Sequence, residues 1–442
     1  MLGYYSILDF GAKQGMLCTK EVQAAFDAAS AANGTVVVPA GEYIIGTVFM
    51  GQASLWLQKG AVLKGSGDLA DYPLIGYHHN EMGPVRTLLW TKDACGVTIY
   101  GEGTLDMNGC AFHDYNDRIV PKPELFTPEQ VAECTANHGD RPNQPILFMN
   151  CTHVTLKDYF TRNAPCWSYC FLYCEDVRVT DLTIDNDRCT ANNDGMHFCG
   201  CKRVSIRGCH ITAGDDCIAL SGITNWDIPC EQVTISDCVL ECSSKSIAVG
   251  YMHSIVRDVV ISNCTIMNSN RGIVFMSSTG TGLVENVLVD NVRFDARCYA
   301  GNWWGNGEPI CLMATHHHLP NYRDPEPVWR NYKTAIRNVQ FRNIICSGEN
   351  AIGIVGENGS IENVSFDGLQ MSLKDSKNLP LKGRMIDVAP SVQDAFLPDD
   401  GKPYWLYMRS AKNVSFRDVT VEPFHGVMPV AYIEGEAPVF HD

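Results

Sequence analysis

Two short segments hold the residues best suited to chemistry: Asn192-Asn193-Asp194-Gly195 and Gly214-Asp215-Asp216-Cys217. Asp194 and Asp215 lie 21 residues apart, so a chain that folds back with about that period gathers three carboxylates. A lone Asp beside Gly or Asn commonly bonds only its own turn. Three together behave differently, because like charges at close range raise at least one pKa and leave a protonated acid next to an ionised partner. Cleavage of a glycosidic bond needs such a pair. Asn192 and Asn193 flank the carboxylates and are candidates for holding the substrate.

The elements that must position these residues are set by a repeat. A small or polar residue, Val, one residue, an apolar residue, two residues and an apolar pair recur from Val154, Val177, Val204, Val233, Val259, Val287, Val339, Val364 and Val414, with a degenerate copy at Val97. Successive starts are 23, 27, 29, 26 and 28 residues apart, then 52, 25 and 50, which read as one period except for two gaps of about two. β-Branched residues alternate with polar ones, and Asn, Asp or Gly breaks each copy in the middle, the pattern of two short strands joined at a bend. One unit buries little, so ten or more must stack at the ~4.8 Å strand spacing into one continuous core. The expected fold is all-β: a single right-handed parallel β-helix over residues 1–442. Residues 19–32 have the propensity and apolar spacing of a helix that caps its open end. Equal positions on neighbouring coils are then neighbours in space, which brings Asp194, Asp215 and Asp216 to one outer face. Cys174, Cys201 and Cys230 share one repeat position and Cys209, Cys238 and Cys264 another, and they read as interior ladders.

Composition narrows the class. With 38 glycines, 45% hydrophobic and 19% charged residues, the chain is a folded protein with many turns. A formal charge of −16, from 50 acidic and 34 basic residues, argues against a nucleic-acid partner. It also gives no long-range attraction for an acidic polysaccharide. No segment approaches the ~20 apolar residues of a membrane span, and residues 1–10 lack an export signal, so the expectation is a cytoplasmic chain unless a leader was removed. The 20 cysteines then read as reduced, small apolar residues.

Residues 7–13 (ILDFGAK) and 35–43 (TVVVPAGEY), on either side of the cap, resemble the start of pectin-degrading β-helix proteins. With the Asn-Asn-Asp and Gly-Asp-Asp segments, the resemblance extends over most of residues 5–440 to family 28 glycoside hydrolases, the polygalacturonase and rhamnogalacturonan hydrolase group. It implies that Asp215 is the general acid, that Asp194 with Asp216 activates water, that the anomeric configuration inverts, and that no metal or organic cofactor takes part. Two family motifs depart. Ser243-Ser244-Lys245-Ser246 stands where Gly-His-Gly is usual, and Val274 and Met276 stand where Arg and Lys follow Gly-Val. Lys245 and Arg271, at nearly the same coil positions, are the candidate replacements for the missing cations.

Two segments interrupt the repeat, residues 112–145 and 299–332, and loops of this kind on a solenoid carry binding. The second contains Trp303 and Trp304, which either stack on sugar faces or pack their own loop. It also contains His316, His317 and His318, whose side chains point apart in extended chain and so suit a metal poorly. Trp167, one coil before Asp194, is a candidate for the cleft edge. Walls on both sides of the groove favour attack at the ends of an oligosaccharide. Two rival readings share the scaffold: a polysaccharide lyase using Lys245 or Arg271 as base, and a non-catalytic carbohydrate-binding β-helix.

Overall fold

The computed structural model describes residues 3–120, 126–278, 282–301, 303–315, 335–378 and 400–441. Among these, nearly all regular structure is parallel strand, in a sheet of 22 strands and another of 12, wound into a right-handed parallel β-helix. The repeat valines fall in a single register: Val177 pairs with Val204, then Val233, Val259, Val287, Val339, Val364 and Val414. All eight are buried.

That register corrects one expectation. Val287 lies directly beside Val339, and Val364 beside Val414, so the gaps of 52 and 50 residues are each a single coil. The stack keeps its register across both gaps, as a solenoid can because each coil contacts only its neighbours.

Each coil turns through residues in the left-handed region. One point precedes the repeat valine, as at Asp258, Asn286, Asn338, Asn363 and Asn413, with φ between 49° and 57°. Another lies at the central bend, as at Asp181, Asp237, Asn263, Asn291 and Asn343. Asn and Asp dominate because their side chains tolerate this conformation and bond locally. The amides also bond from coil to coil: Asn286 donates to Asp258 at 3.1 Å, Asn338 to Asn286 at 3.1 Å, Asn363 to Asn338 at 3.1 Å and Asn413 to Asn363 at 2.7 Å.

Inside, like stacks on like. Phe148, Phe171 and Phe198 are near-parallel with centroids 5.1 and 4.6 Å apart, and Phe341, Phe366, Phe416 and Phe440 continue the pattern at 4.5, 4.8 and 5.3 Å. The two expected cysteine ladders are interior, and every cysteine is free. The helix Thr19–Ala31 turns Val22, Ala25, Phe26 and Ala29 onto the first coil. No helix among the described residues is long and apolar enough to cross a membrane.

Candidate active site

The site lies on the outer face of the 12-stranded sheet, where Tyr169–Leu172, Met196–Cys199, Ile218–Ser221, Lys245–Val249, Arg271–Ser278 and Glu308–Thr315 succeed one another. Within each strand alternate residues point inward, so Met196 and Phe198 enter the core while His197 and Cys199 face out. Asp194 ends the turn before its strand, and Asp215 with Asp216 ends the turn before the next. Backbone bonds tie the turns together: Gly195 donates to the Asp216 carbonyl at 2.8 Å, and Ser168 to that of Asp194 at 2.9 Å. The approach demands glycine, since a Cβ on Gly195 would lie 2.5 Å from the Cys217 carbonyl oxygen and one on Gly214 2.2 Å from that of Thr190.

Asp194, Asp215 and Asp216 line one cavity of about 450 Å³ with Glu81, Trp167, Asn192, His197, Ser221, Lys245, Tyr251 and Trp304. Asn192 donates to Asp215 Oδ2 at 3.4 Å and accepts from Arg141 at 3.3 Å. Asp216 Oδ1 accepts from the Ser244 hydroxyl at 3.2 Å and the Lys245 N–H at 3.3 Å, and Lys245 Nζ stands 3.5 Å from the same oxygen. Lys245 Nζ also lies 5.9 Å from the Trp304 ring centroid, within cation–π range. The cation in the motif where Gly-His-Gly is usual therefore does project among the carboxylates.

Three other candidates lie elsewhere. Asn193 is fully buried and works on the backbone: its Oδ1 accepts from Gly214 and Asp215, and its Nδ2 donates to the Asp187 carbonyl at 2.7 Å. Arg271 follows Lys245 in register but is fully buried, its Nε and Nη2 on the two carboxylate oxygens of Glu308 at 3.1 and 3.3 Å. Glu308 is its register neighbour on the following coil, so the guanidinium pairs along the stack and does not line the cavity. Trp303 is buried too, its indole N–H on the Glu133 carbonyl at 2.6 Å, which packs one insertion onto the other. Trp304 beside it faces the cavity. His316, His317 and His318 lie outside the described residues.

Beyond Lys245 the outer face of the sheet is covered by an apolar cluster. Val274 and Met276 are buried against Cys311, Met313, Val355 and Tyr407, with Tyr251 and Tyr432 packed on them.

His197, Glu81, Ser221 and Tyr251 were not anticipated. The ring of His197 stacks on Trp167 with centroids 3.8 Å apart. Its Nδ1 is 3.3 Å from Asp194 Oδ2 and its Nε2 3.0 Å from Ser221 Oγ. Burial works against a charge on this ring, but Cys199 and Asp194 outweigh it and push its pKa well above the ordinary value. Alternation was the available signal for His197 and Ser221, since both are outward positions of the strands that follow the aspartates. Glu81 comes from the distant hairpin of His78–His79 and Gly83–Pro84, which carries no repeat.

The family model for glycosyl hydrolases family 28 matches residues 30–382. A probable polygalacturonase from Vitis vinifera is 23% identical over 331 residues, 70% of this chain and 60% of that protein. An exopolygalacturonase from Arabidopsis thaliana is 24% identical over 62% of this chain and 56% of its own length. The matches thus span little more than half of these relatives. Among solved structures, the family 28 exopolygalacturonase of Yersinia enterocolitica superposes with a TM-score of 0.69 at 17% identity, covering 98% of this chain and 78% of that one. The exopolygalacturonase of Thermotoga maritima superposes at 0.64 and 18%, covering 85% and 88%. At these identities the superpositions carry the fold, and with the model match over most of its length the chain belongs to glycosyl hydrolases family 28.

Proposed function

We propose that the chain hydrolyses a pectin-related oligosaccharide from a chain end, with inversion at the anomeric carbon. The observation that carries this is the meeting of Asp194, Asp215 and Asp216 in one cavity, delivered by two adjacent coils. Asp215 protonates the leaving oxygen, while Asp194 and Asp216 take the proton of the attacking water from the opposite side of the bond. Asn192 orients Asp215 through its 3.4 Å contact, and Ser244 and Lys245 orient Asp216. Attack at an end is favoured by the crowding of the cavity by Glu81, Trp167, Tyr251 and Trp304. Two proteins of similar fold are exopolygalacturonases, which agrees with this mode.

At the cleavage point we propose a neutral or deoxy sugar. The cavity already holds Asp194, Asp215, Asp216 and Glu81 against Lys245 and His197, and Lys245 stands on Asp216. Val274 and Met276 are apolar and buried beneath Tyr251 and Tyr432, so neither position supplies the cation that an uronate carboxylate would need. The test is a panel of trigalacturonate, rhamnogalacturonan and neutral pectic oligosaccharides, with products sized by chromatography and the new anomer read by proton NMR. Single sugars released with inverted configuration, fastest from a neutral or rhamnose end, are expected. An ultraviolet-absorbing unsaturated product would mean elimination and overturn the hydrolytic reading.

A further inference from the structure

The assignment of Asp194 leaves unexplained how a buried carboxylate is held in place for water. The two oxygens of Asp194 differ. Oδ2 stands 3.3 Å from His197 Nδ1, an ion-pair contact in which Nδ1 makes no hydrogen bond, whereas Oδ1 is closed off and accepts no hydrogen bond from the described residues. A carboxylate buried with so few polar partners depends for its position on the ring that faces it. His197 is itself held on two sides, and one of its neighbours is held in turn. Trp167 covers one ring face, Ser221 Oγ meets Nε2 at 3.0 Å, and His79 meets the edge of Trp167 at 5.0 Å and 84°. A ring so clamped presents Nδ1 in one direction only.

We propose that His197 is the positioning residue of Asp194: the ring, held by Ser221 and Trp167, faces Oδ2 and fixes the carboxylate for the water that attacks the sugar. The proposal rests on Asp194 being the base of the preceding section. In the hydrolytic step the water O–H bond breaks and its proton passes to the Asp194 carboxylate, its oxygen bonds the anomeric carbon as the glycosidic C–O bond breaks, and the leaving oxygen takes the proton of Asp215. His197 exchanges no proton in this step.

The test compares His197→Phe, which keeps a ring over Trp167 but loses the donor, with His197→Asn, whose amide can stand near the position of Nδ1. Kinetics are read as kcat and KM separately. His197→Phe should lose about 10²-fold in kcat, the scale of a misplaced catalytic group, with KM within about threefold. His197→Asn should recover most of that loss. Ser221→Ala, which frees the far side of the ring, should lose a further-reaching but smaller part, about threefold to tenfold in kcat, as for one neutral hydrogen bond. Equal activity of the Phe and Asn variants would reduce His197 to packing and overturn the proposal. If His197→Phe fails to fold, the Ser221→Ala and His197→Asn pair still decides, because wild-type kcat in Ser221→Ala together with full loss in His197→Asn contradicts the relay. Asp215→Asn is assayed beside them: its inactivity upholds the acid/base reading independently, so a failure of the relay alone is recognised as such.

Discussion

The Asn193 carboxamide holds the backbone that carries Asp215: its Oδ1 accepts the N–H of Gly214 at 2.6 Å and that of Asp215 at 3.1 Å from the next coil. Asn193→Ala strands two buried donors and the Asp187 carbonyl. It should destabilise the fold by about 2 kcal/mol or more, and lower kcat as well by freeing the turn of Asp215. Denaturant midpoints and turnover of the same variant check both effects.

Asp215→Asn keeps the shape and the Asn192 contact but removes the transferable proton. Turnover should fall by about 10² to 10⁴, with an unchanged melting temperature. Wild-type turnover in this variant would remove Asp215 from the mechanism.

Lys245 Nζ stands 3.5 Å from Asp216 Oδ1, a contact on which either substrate should depend. Trigalacturonate should be cleaved more slowly than a neutral or rhamnose-ended pectic oligosaccharide, and Lys245→Met should slow both through loss of the Asp216 contact. A selective loss on trigalacturonate, with the neutral substrate spared, would instead make Lys245 the receptor of a substrate carboxylate.

Much of this was legible because the repeat encodes register. Val177 to Val259 fall where their spacing puts them, and equal coil positions bring Asp194 to Asp215 and Asp216. Spacing cannot tell which way a charged side chain turns within one ladder. Lys245 and Arg271 are register neighbours, yet one enters the cavity and the other folds back on Glu308. Glu308 opens a strand, Glu308–Thr315, inside the segment 299–332 that the sequence pattern marks as an insertion, so no period leads to it from Arg271. The same insertions hid the single-coil nature of the 52- and 50-residue gaps, since loop length is invisible to a strand pattern. Glu81 was hidden for a related reason: it reaches the cavity from a hairpin outside the coils.

Core ladders should be costly to break in the middle. Phe366 lies between Phe341 and Phe416 at 4.5 and 4.8 Å. Phe366→Ala should cost about 3 to 5 kcal/mol, read from urea unfolding, with kcat unchanged because the ladder is remote from the aspartates.

His113 should make the fold sensitive to acid. Burial first, with Arg141 and His138 nearby, lowers its pKa to about 4 despite its bond to the Gly109 carbonyl. Arg141 donates to its Nε2 at 3.0 Å, a bond that needs the neutral ring. In the unfolded chain the group titrates near its ordinary value of about 6.5. Between these values the unfolded state binds the extra proton, so stability is complete above about pH 6.5 and is lost as the pH falls towards 4. Thermal melts from pH 7 to 4.5 should fall more steeply for the parent than for His113→Gln.

The spacing of Asp194 from Asp215 and Asp216 has an evolutionary consequence. It is set by backbone bonds between adjacent coils, such as Gly195 to Asp216, whereas Glu81 and Trp304 enter from segments that leave the stack. Selection can therefore rewrite the outer segments, changing which end of which sugar is admitted, without disturbing the distance over which the proton and the water must act. A transplant of residues 66–88 or 297–307 between relatives should carry substrate preference with it and leave the stereochemical outcome in place.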